Sequence, residues 1–173
     1  MDAQDLRDAI RDVPDFPKPG IVFKDITPIL AYPALLRFAL DLMLSAFFDR
    51  SIDKVAGIEA RGFIFGGAMA DRIGCGFVPV RKKGKLPYRT HEESYDLEYG
   101  SACIAIHQDA VRRGEKVLIV DDLLATGGTA AATVRLVEKC GGEVVGLSFL
   151  VELSFLNGRK NLQGYRVAAP VVF

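Results

Sequence analysis

Val117-Leu118-Ile119-Val120-Asp121-Asp122-Leu123-Leu124-Ala125-Thr126-Gly127-Gly128-Thr129 is the stretch on which the fold of this chain turns. Its first four residues are apolar without a break, the pattern of a central parallel strand covered on both faces. A loop over 121–129 follows, then a helix over 130–139 that turns Val134 and Val137 inward. The same rhythm recurs on either side. Residues 54–58 read as a strand, 59–62 as a turn, and a helix of small residues runs on to about Ile73. Strands are predicted at 77–80, 101–107 and 143–151, with a short helix near 154–161 and an edge strand over 165–173. Strand–helix alternation of this kind predicts an α/β fold, an open and mostly parallel sheet flanked by helices. Ligands of such sheets bind beyond the carboxyl ends of the strands. That rule selects the loops after Ile58, Val80 and Val120.

Upstream of the alternation, residues 1–13 read as a short charged helix, closed by Pro14, Pro17 and Pro19-Gly20. Residues 21–23 are extended and 24–28 turn. A helix starts at Pro33, where Leu35, Leu36, Ala39, Leu42, Met43, Ala46 and Phe47 form a buried stripe. Residues 81–100 (RKKGKLPYRTHEESYDLEYG) are long and polar with little apolar periodicity, which suits a lid.

Composition bounds the partners. The 173 residues suit one domain, and half of them are hydrophobic. Twenty-two Lys and Arg balance twenty-two Asp and Glu. Zero net charge argues against a protein that grips long nucleic acid by neutralising phosphates. Cys75, Cys103 and Cys140 are far apart and form neither a disulfide framework nor a zinc ribbon. The N-terminus has no apolar signal core. The greasiest run, 38–48, is broken by Asp41 and falls short of the roughly 18 residues of a membrane span. A soluble cytoplasmic protein is expected, with no nucleic-acid or membrane partner.

The loop after Val120 carries the chemistry. Gly127 and Gly128 let the backbone curl so that successive N–H groups converge on one anion. A helix N-terminus and the hydroxyls of Thr126 and Thr129 add to this, so the string predicts a monophosphate cradle. It is not a triphosphate loop, because no Lys follows the glycines. Asp121 and Asp122 would repel an anion. They make sense beside a ligand that also offers hydroxyls or develops positive charge, and a ribose 5-phosphate does both.

Two apolar residues, an acid pair and Thr-Gly-Gly-Thr resemble the signature of the type I phosphoribosyltransferases. Residues 22–28 (VFKDITP), 57–66 (GIEARGFIFG), 81–87 (RKKGKLP), 95–100 (YDLEYG) and 150–153 (LVEL) stand in the order seen in members that act on adenine. The resemblance implies a single domain over 1–173, with 1–32 contributing a hood over the base. It implies transfer of the 5-phosphoribosyl group of 5-phospho-α-D-ribose 1-diphosphate to adenine, giving AMP and diphosphate, in purine salvage. Ala125, Thr126, Gly127, Gly128 and Thr129 match the 5-phosphate loop, and Asp121 and Asp122 the partners of the ribose hydroxyls. Arg61, Arg81, Lys82 and Lys85 match the diphosphate-binding cations. Glu-Ala stands before Arg61 where many members carry Asp-Ser.

Val22, Phe23 and Lys24 match the segment that reads adenine, through main-chain groups and stacking on Phe23. Glu98 matches the acid that assists at the base. Mg²⁺ is implied, held mainly by the diphosphate and ribose with no all-protein cage, and so is a homodimer. A base other than adenine, a transcriptional sensor on the same fold, and an unrelated Rossmann-like binding protein, against which the intact acid pair and loop argue, are the alternatives. The sensor would need an added DNA-binding module and a basic face, and this chain has neither spare residues nor positive charge.

Overall fold

The computed structural model describes residues 1–96 and 100–173. Eight strands make the main sheet: β3 (Lys54–Ile58), β4 (Gly76–Lys82), β5 (Thr90–Asp96), β6 (Ser101–His107), β7 (Lys116–Leu124), β8 (Glu143–Glu152), β9 (Val167–Ala168) and β10 (Val171–Val172). Their order is β10-β8-β7-β3-β4-β6-β5, with β9 pairing β8 just before β10 does. All pairs from β10 to β4 are parallel, and the β4–β6 and β5–β6 pairs are antiparallel. The open, mostly parallel sheet read from the alternation is present.

Helices α4 (Gly62–Ile73) and α5 (Gly128–Lys139) cover opposite faces. Side chains of β7 show why a continuous apolar run is needed there. Leu118 and Val120 join one core with Phe65 and Met69 of α4, together with residues of α1 (Ala3–Ala9), α2 (Thr27–Ala31) and α3 (Pro33–Ser45). Val117 and Ile119 join the other, with Ala132, Leu136 and Val137 of α5. Successive residues of a strand point to opposite faces, so both faces must be apolar.

The chain leaves β3 toward β4 through α4, and leaves β7 toward β8 through α5 on the other face. β3 and β7 are neighbours, so the sheet reverses its winding between them and a crevice opens beyond their carboxyl ends.

Several boundaries differ from the sequence reading. β7 runs on through Asp121 and Asp122 to Leu124, because β8 continues alongside it; Asp121 pairs with Phe149 and Leu124 with Glu152. The loop is therefore only residues 125–127, and α5 starts at Gly128. The first helix is shorter than read, Ala3–Ala9, started by a capping box between Asp2 and Asp5. Residues 11–14 form instead a strand, β1 (Arg11–Pro14), antiparallel to β2 (Val22–Asp25). Of the turn expected over 24–28, Lys24 and Asp25 belong to β2 and Thr27 and Pro28 open helix α2.

The polar segment is not irregular throughout, since 90–96 form edge strand β5 against β6. Glu93 of β5 is ion-paired with Arg135 and Lys139 of α5. The C-terminal edge strand is present as two short pieces, β9 and β10, separated by Ala169-Pro170. Proline has no N–H to give to a ladder.

Candidate functional site

Three cavities share residues around the crevice. The first, about 70 Å³, is lined by Asp121, Leu123 and every residue of the Ala125–Thr129 turn. Gly127 has φ +81° and sits at the N-cap of α5, so the loop passes through a conformation that glycine adopts without strain. The second, about 130 Å³, is lined by Glu59, Arg81, Lys82, Tyr95, Asp121 and Thr129 among others. A larger apolar groove of about 720 Å³ includes Val22, Lys24, Thr126, Leu153 and Phe173. Asp121 and Thr129 join the first to the second, and Thr126 joins the first to the groove.

The two carboxylates diverge, as neighbours on a strand must. Asp122 is buried, and its Oδ2 lies 2.6 Å from Arg61 Nε. That contact is an ion pair without hydrogen-bond alignment, so Asp122 Oδ2 is buried with no hydrogen-bond donor. Asp121 accepts the Asp122 N–H at 2.9 Å. Burial first, and then the neighbouring Asp122 charge, push the Asp121 carboxyl well above the ordinary aspartate range.

Arg61 lies three residues past β3, at the N-cap of α4, and its guanidinium carbon is 5.2 Å from the ring centroid of Phe23 in β2. One cation thus touches the N-terminal ribbon and the acid at the end of β7. Phe23 packs edge-on against Phe16 at 5.2 Å. Val22 and Lys24, its neighbours along the strand, face the apolar groove instead. Lys24 reaches Asp12 at 2.6 Å.

Arg81 is held by Glu59, which the sequence reading set in the turn before Arg61 without a role of its own. Glu59 accepts from the Arg81 Nε at 3.2 Å and Nη2 at 2.9 Å, and from the Lys82 N–H at 3.1 Å. Arg81 Nη1 donates to the Lys85 carbonyl at 3.0 Å. Arg81 therefore shapes the 81–85 turn, while Lys82 and Lys85 stand exposed. The Arg81 hydrogen bonds hold the Glu59 carboxyl below the usual range against its partial desolvation. The signal for Glu59 was its place, since an acid directly after a buried strand must find a cation.

The structure therefore brings together Asp121 with the whole Ala125–Thr129 turn, and Asp122 with Arg61 and Phe23. It sets Arg81, Lys82 and Lys85 on the next turn along the sheet. Glu98 lies outside the described residues.

The phosphoribosyl transferase domain family matches residues 26–166. An adenine phosphoribosyltransferase of Thermotoga neapolitana is 59% identical over 169 residues, 98% of this chain and 99% of that protein. The crystal structure of an adenine phosphoribosyltransferase from Rhodothermus marinus superimposes with a TM-score of 0.95 at 57% identity, covering 99% of this chain and 98% of that one. A Saccharomyces cerevisiae adenine phosphoribosyltransferase, crystallised with adenine and an imino-altritol bisphosphate, has a TM-score of 0.92 at 41% identity, covering 98% of both chains.

Proposed function

The chain belongs to the phosphoribosyltransferase family, and we propose that the crevice between β3 and β7 is where it performs the family's chemistry. It is a purine salvage enzyme that transfers the 5-phosphoribosyl group from 5-phospho-α-D-ribose 1-diphosphate to adenine, giving AMP and diphosphate. The observation that carries the placement is the glycine turn of 125–129 wrapped around a small cavity directly beside Asp121.

In this reading the turn takes the 5-phosphate through its N–H groups and the start of α5. Asp121 and Asp122 flank the ribose from the end of β7. They accept from its hydroxyls and stabilise positive charge as the bond from C1 to diphosphate breaks. The adenine nitrogen forms the new bond to C1 and gives up its proton. Glu98, from the 95–100 segment, assists that proton's departure. Arg61, Lys82 and Lys85 receive the diphosphate, and Arg81 sets the turn that carries the two lysines. The hood formed by 1–32 closes over the base, with Phe23 beside it and the main chain of Val22, Phe23 and Lys24 reading its edge.

Mg²⁺ belongs to the same proposal: it would be held mainly by diphosphate and ribose oxygens and would offset the leaving group's charge. Asp121 and Asp122 are the carboxylates nearest to it, and Asp122 Oδ2 is engaged by Arg61 at 2.6 Å, which suits a cation carried mainly by the substrate's own oxygens. A homodimer is included too, and exposed Ile64 and Phe77 near the start of α4 offer apolar surface for it. The free thiols Cys75, Cys103 and Cys140 suit the reducing cytoplasm as the compartment. No helix among the described residues is long and apolar enough to cross a membrane.

A product assay tests the whole reading. Protein, phosphoribosyl diphosphate and Mg²⁺ are mixed with adenine, hypoxanthine, guanine or xanthine, and nucleotides are resolved by chromatography. AMP from adenine alone is expected. A different mononucleotide overturns the base, and binding without any product turns the reading to a sensor.

Glu59→Gln tests the diphosphate side. Discounting its ion pair with Arg81 for partial exposure leaves about 1 kcal/mol, or about fivefold. The KM for phosphoribosyl diphosphate rises by that factor, with the KM for adenine little changed. Initial-rate kinetics check the split, and equal KM values for both proteins would remove Glu59 from any role in the turn.

A further inference from the structure

We infer that the turn over Gly158–Leu162 is the outer wall of the phosphate loop, and that Asn161 is a positioning residue aiming the loop's N–H groups at the phosphate. The inference rests on reading 125–129 as the 5-phosphate loop.

A three-residue loop that ends in Gly127 and runs into a second glycine at the start of α5 has little reason of its own to hold one shape, because glycine loses more conformational freedom on ordering than any other residue. Something outside the loop must hold it. The structure supplies that restraint from a segment about thirty residues downstream. Asn161 Nδ2 donates to the Thr126 carbonyl at 2.8 Å. In a planar trans peptide, the C=O of one residue and the N–H of the next point in opposite directions. Holding the Thr126 carbonyl outward therefore turns the Gly127 N–H the other way, toward the cavity that Thr126 and Gly127 line.

The contact between loop and wall is backbone on backbone. A Cβ on Gly158 would lie 2.2 Å from the Ala125 carbonyl oxygen, and one on Gly127 would lie 2.4 Å from the Gly158 carbonyl oxygen. Two glycines thus interlock, each leaving room for the other's chain.

The wall is itself anchored. Arg159 donates from Nε to both carboxylate oxygens of Glu152 at 2.9 Å, and from Nη2 to Oε2 at 2.7 Å. Its Nη1 holds the Val167 carbonyl at 3.0 Å. Glu152 is buried and pairs in the ladder with Leu124, the residue before the loop. Contacts run from Leu124 to Glu152, to Arg159, to Gly158 and Asn161, and back to the loop. The closed ring defines the loop from both ends and from outside.

The test measures ribose 5-phosphate binding by calorimetry, initial-rate kinetics and thermal melting on four variants. Asn161→Ala is expected to weaken ribose 5-phosphate and raise the KM for phosphoribosyl diphosphate about fivefold, the scale of one hydrogen bond. Its kcat stays within about twofold, as expected when binding is lost equally from ground and transition states. The KM for adenine does not move, and the melting temperature falls by at most the roughly 2–4 °C that one hydrogen bond is worth. Asn161→Gln keeps the amide donor and recovers most of the loss. Gly158→Ala pushes wall and loop apart and weakens ribose 5-phosphate more than Asn161→Ala does. Should Gly158→Ala not fold, the two Asn161 variants decide alone.

Thr129→Val, inside the loop, separates the two ways of failing. If it weakens ribose 5-phosphate while Asn161→Ala and Gly158→Ala do not, the wall is passive and the inference is overturned. If Thr129→Val also leaves binding intact, the phosphate does not sit at 125–129, and the inference falls with that reading.

Discussion

Asp121→Asn lowers kcat about a hundredfold and at the same time raises the melting temperature of the ligand-free protein by about 3 °C. The two effects share one cause. Burial and the adjacent Asp122 raise the Asp121 pKa, so the folded protein resists the charged form. A carboxyl whose pKa is raised on folding adds stability only below its unfolded value, and that contribution is lost as pH rises through the folded value. At neutral pH the ionisable carboxyl therefore works against the fold. Asparagine removes it while keeping an oxygen for the Asp122 N–H, which Asp121 accepts at 2.9 Å. A gain of about 1 kcal/mol corresponds to roughly 2–4 °C in a chain of this size. The gain shrinks on acidification and vanishes near about pH 4, where the unfolded chain's aspartate also takes up its proton.

Turnover moves the other way, because the same charge stabilises the positive ribose. A hundredfold is about 2.7 kcal/mol, within reach of one well-placed group in a dry site. Melting curves from pH 4 to 8 beside steady-state kinetics check both halves. A variant that loses turnover and also melts earlier at neutral pH would remove the electrostatic account.

Gly127→Ala is expected to cost about a thousandfold in kcat/KM for phosphoribosyl diphosphate, or about 4 kcal/mol. Two penalties combine. At φ +81° an alanine carries roughly 1–2 kcal/mol of left-handed strain. Its methyl group would also meet the Gly158 carbonyl oxygen at 2.4 Å, so the loop or the wall must shift. In the proposed role the loop's N–H groups face the phosphate and move with the loop, and small displacements of positioning groups are amplified in rate. Gly164→Ala is the control. That residue has φ +89° and nothing within 4 Å of an added Cβ, so it carries strain without collision. Its kcat/KM should stay near that of the parent while its melting temperature falls. Similar kinetics for the two variants would mean that collision at Gly127 plays no part.

The central fold was legible because burial on two faces leaves a strong trace, as in 117–120 and 143–151. The extent of β7 was not. Asp121 and Asp122 look like loop residues by polarity, yet they continue the ladder with Leu123 and Leu124 because β8 runs alongside as far as Glu152. β1 was hidden for another reason. Residues 11–14 belong to a two-stranded surface ribbon that buries neither face fully, so no alternation marks them.

Within the site, the local devices were readable, namely the acid pair, the glycine turn and the cations that follow strands. Glu59 was half visible, from its place at the end of β3. Gly158 and Asn161 were invisible, because their meaning lies in what the fold sets beside them. So was the splitting of Val22 and Lys24 from Phe23, since it depends on which way a four-residue ribbon faces.

One contact links the first and last segments of the chain. The Phe173 ring takes Lys24 Nζ at 3.9 Å and the Arg7 guanidinium at 4.1 Å, and Arg7 also donates to the Val172 carbonyl. During synthesis the ribbon of 11–25 leaves the ribosome early, while its fastening arrives only with 171–173. The loop at 125–127, its wall at 158–162 and the wall's anchor at Val167 all precede that fastening in the chain. The groove beside Val22 and Lys24 thus depends on the last three residues, while the loop and its wall do not.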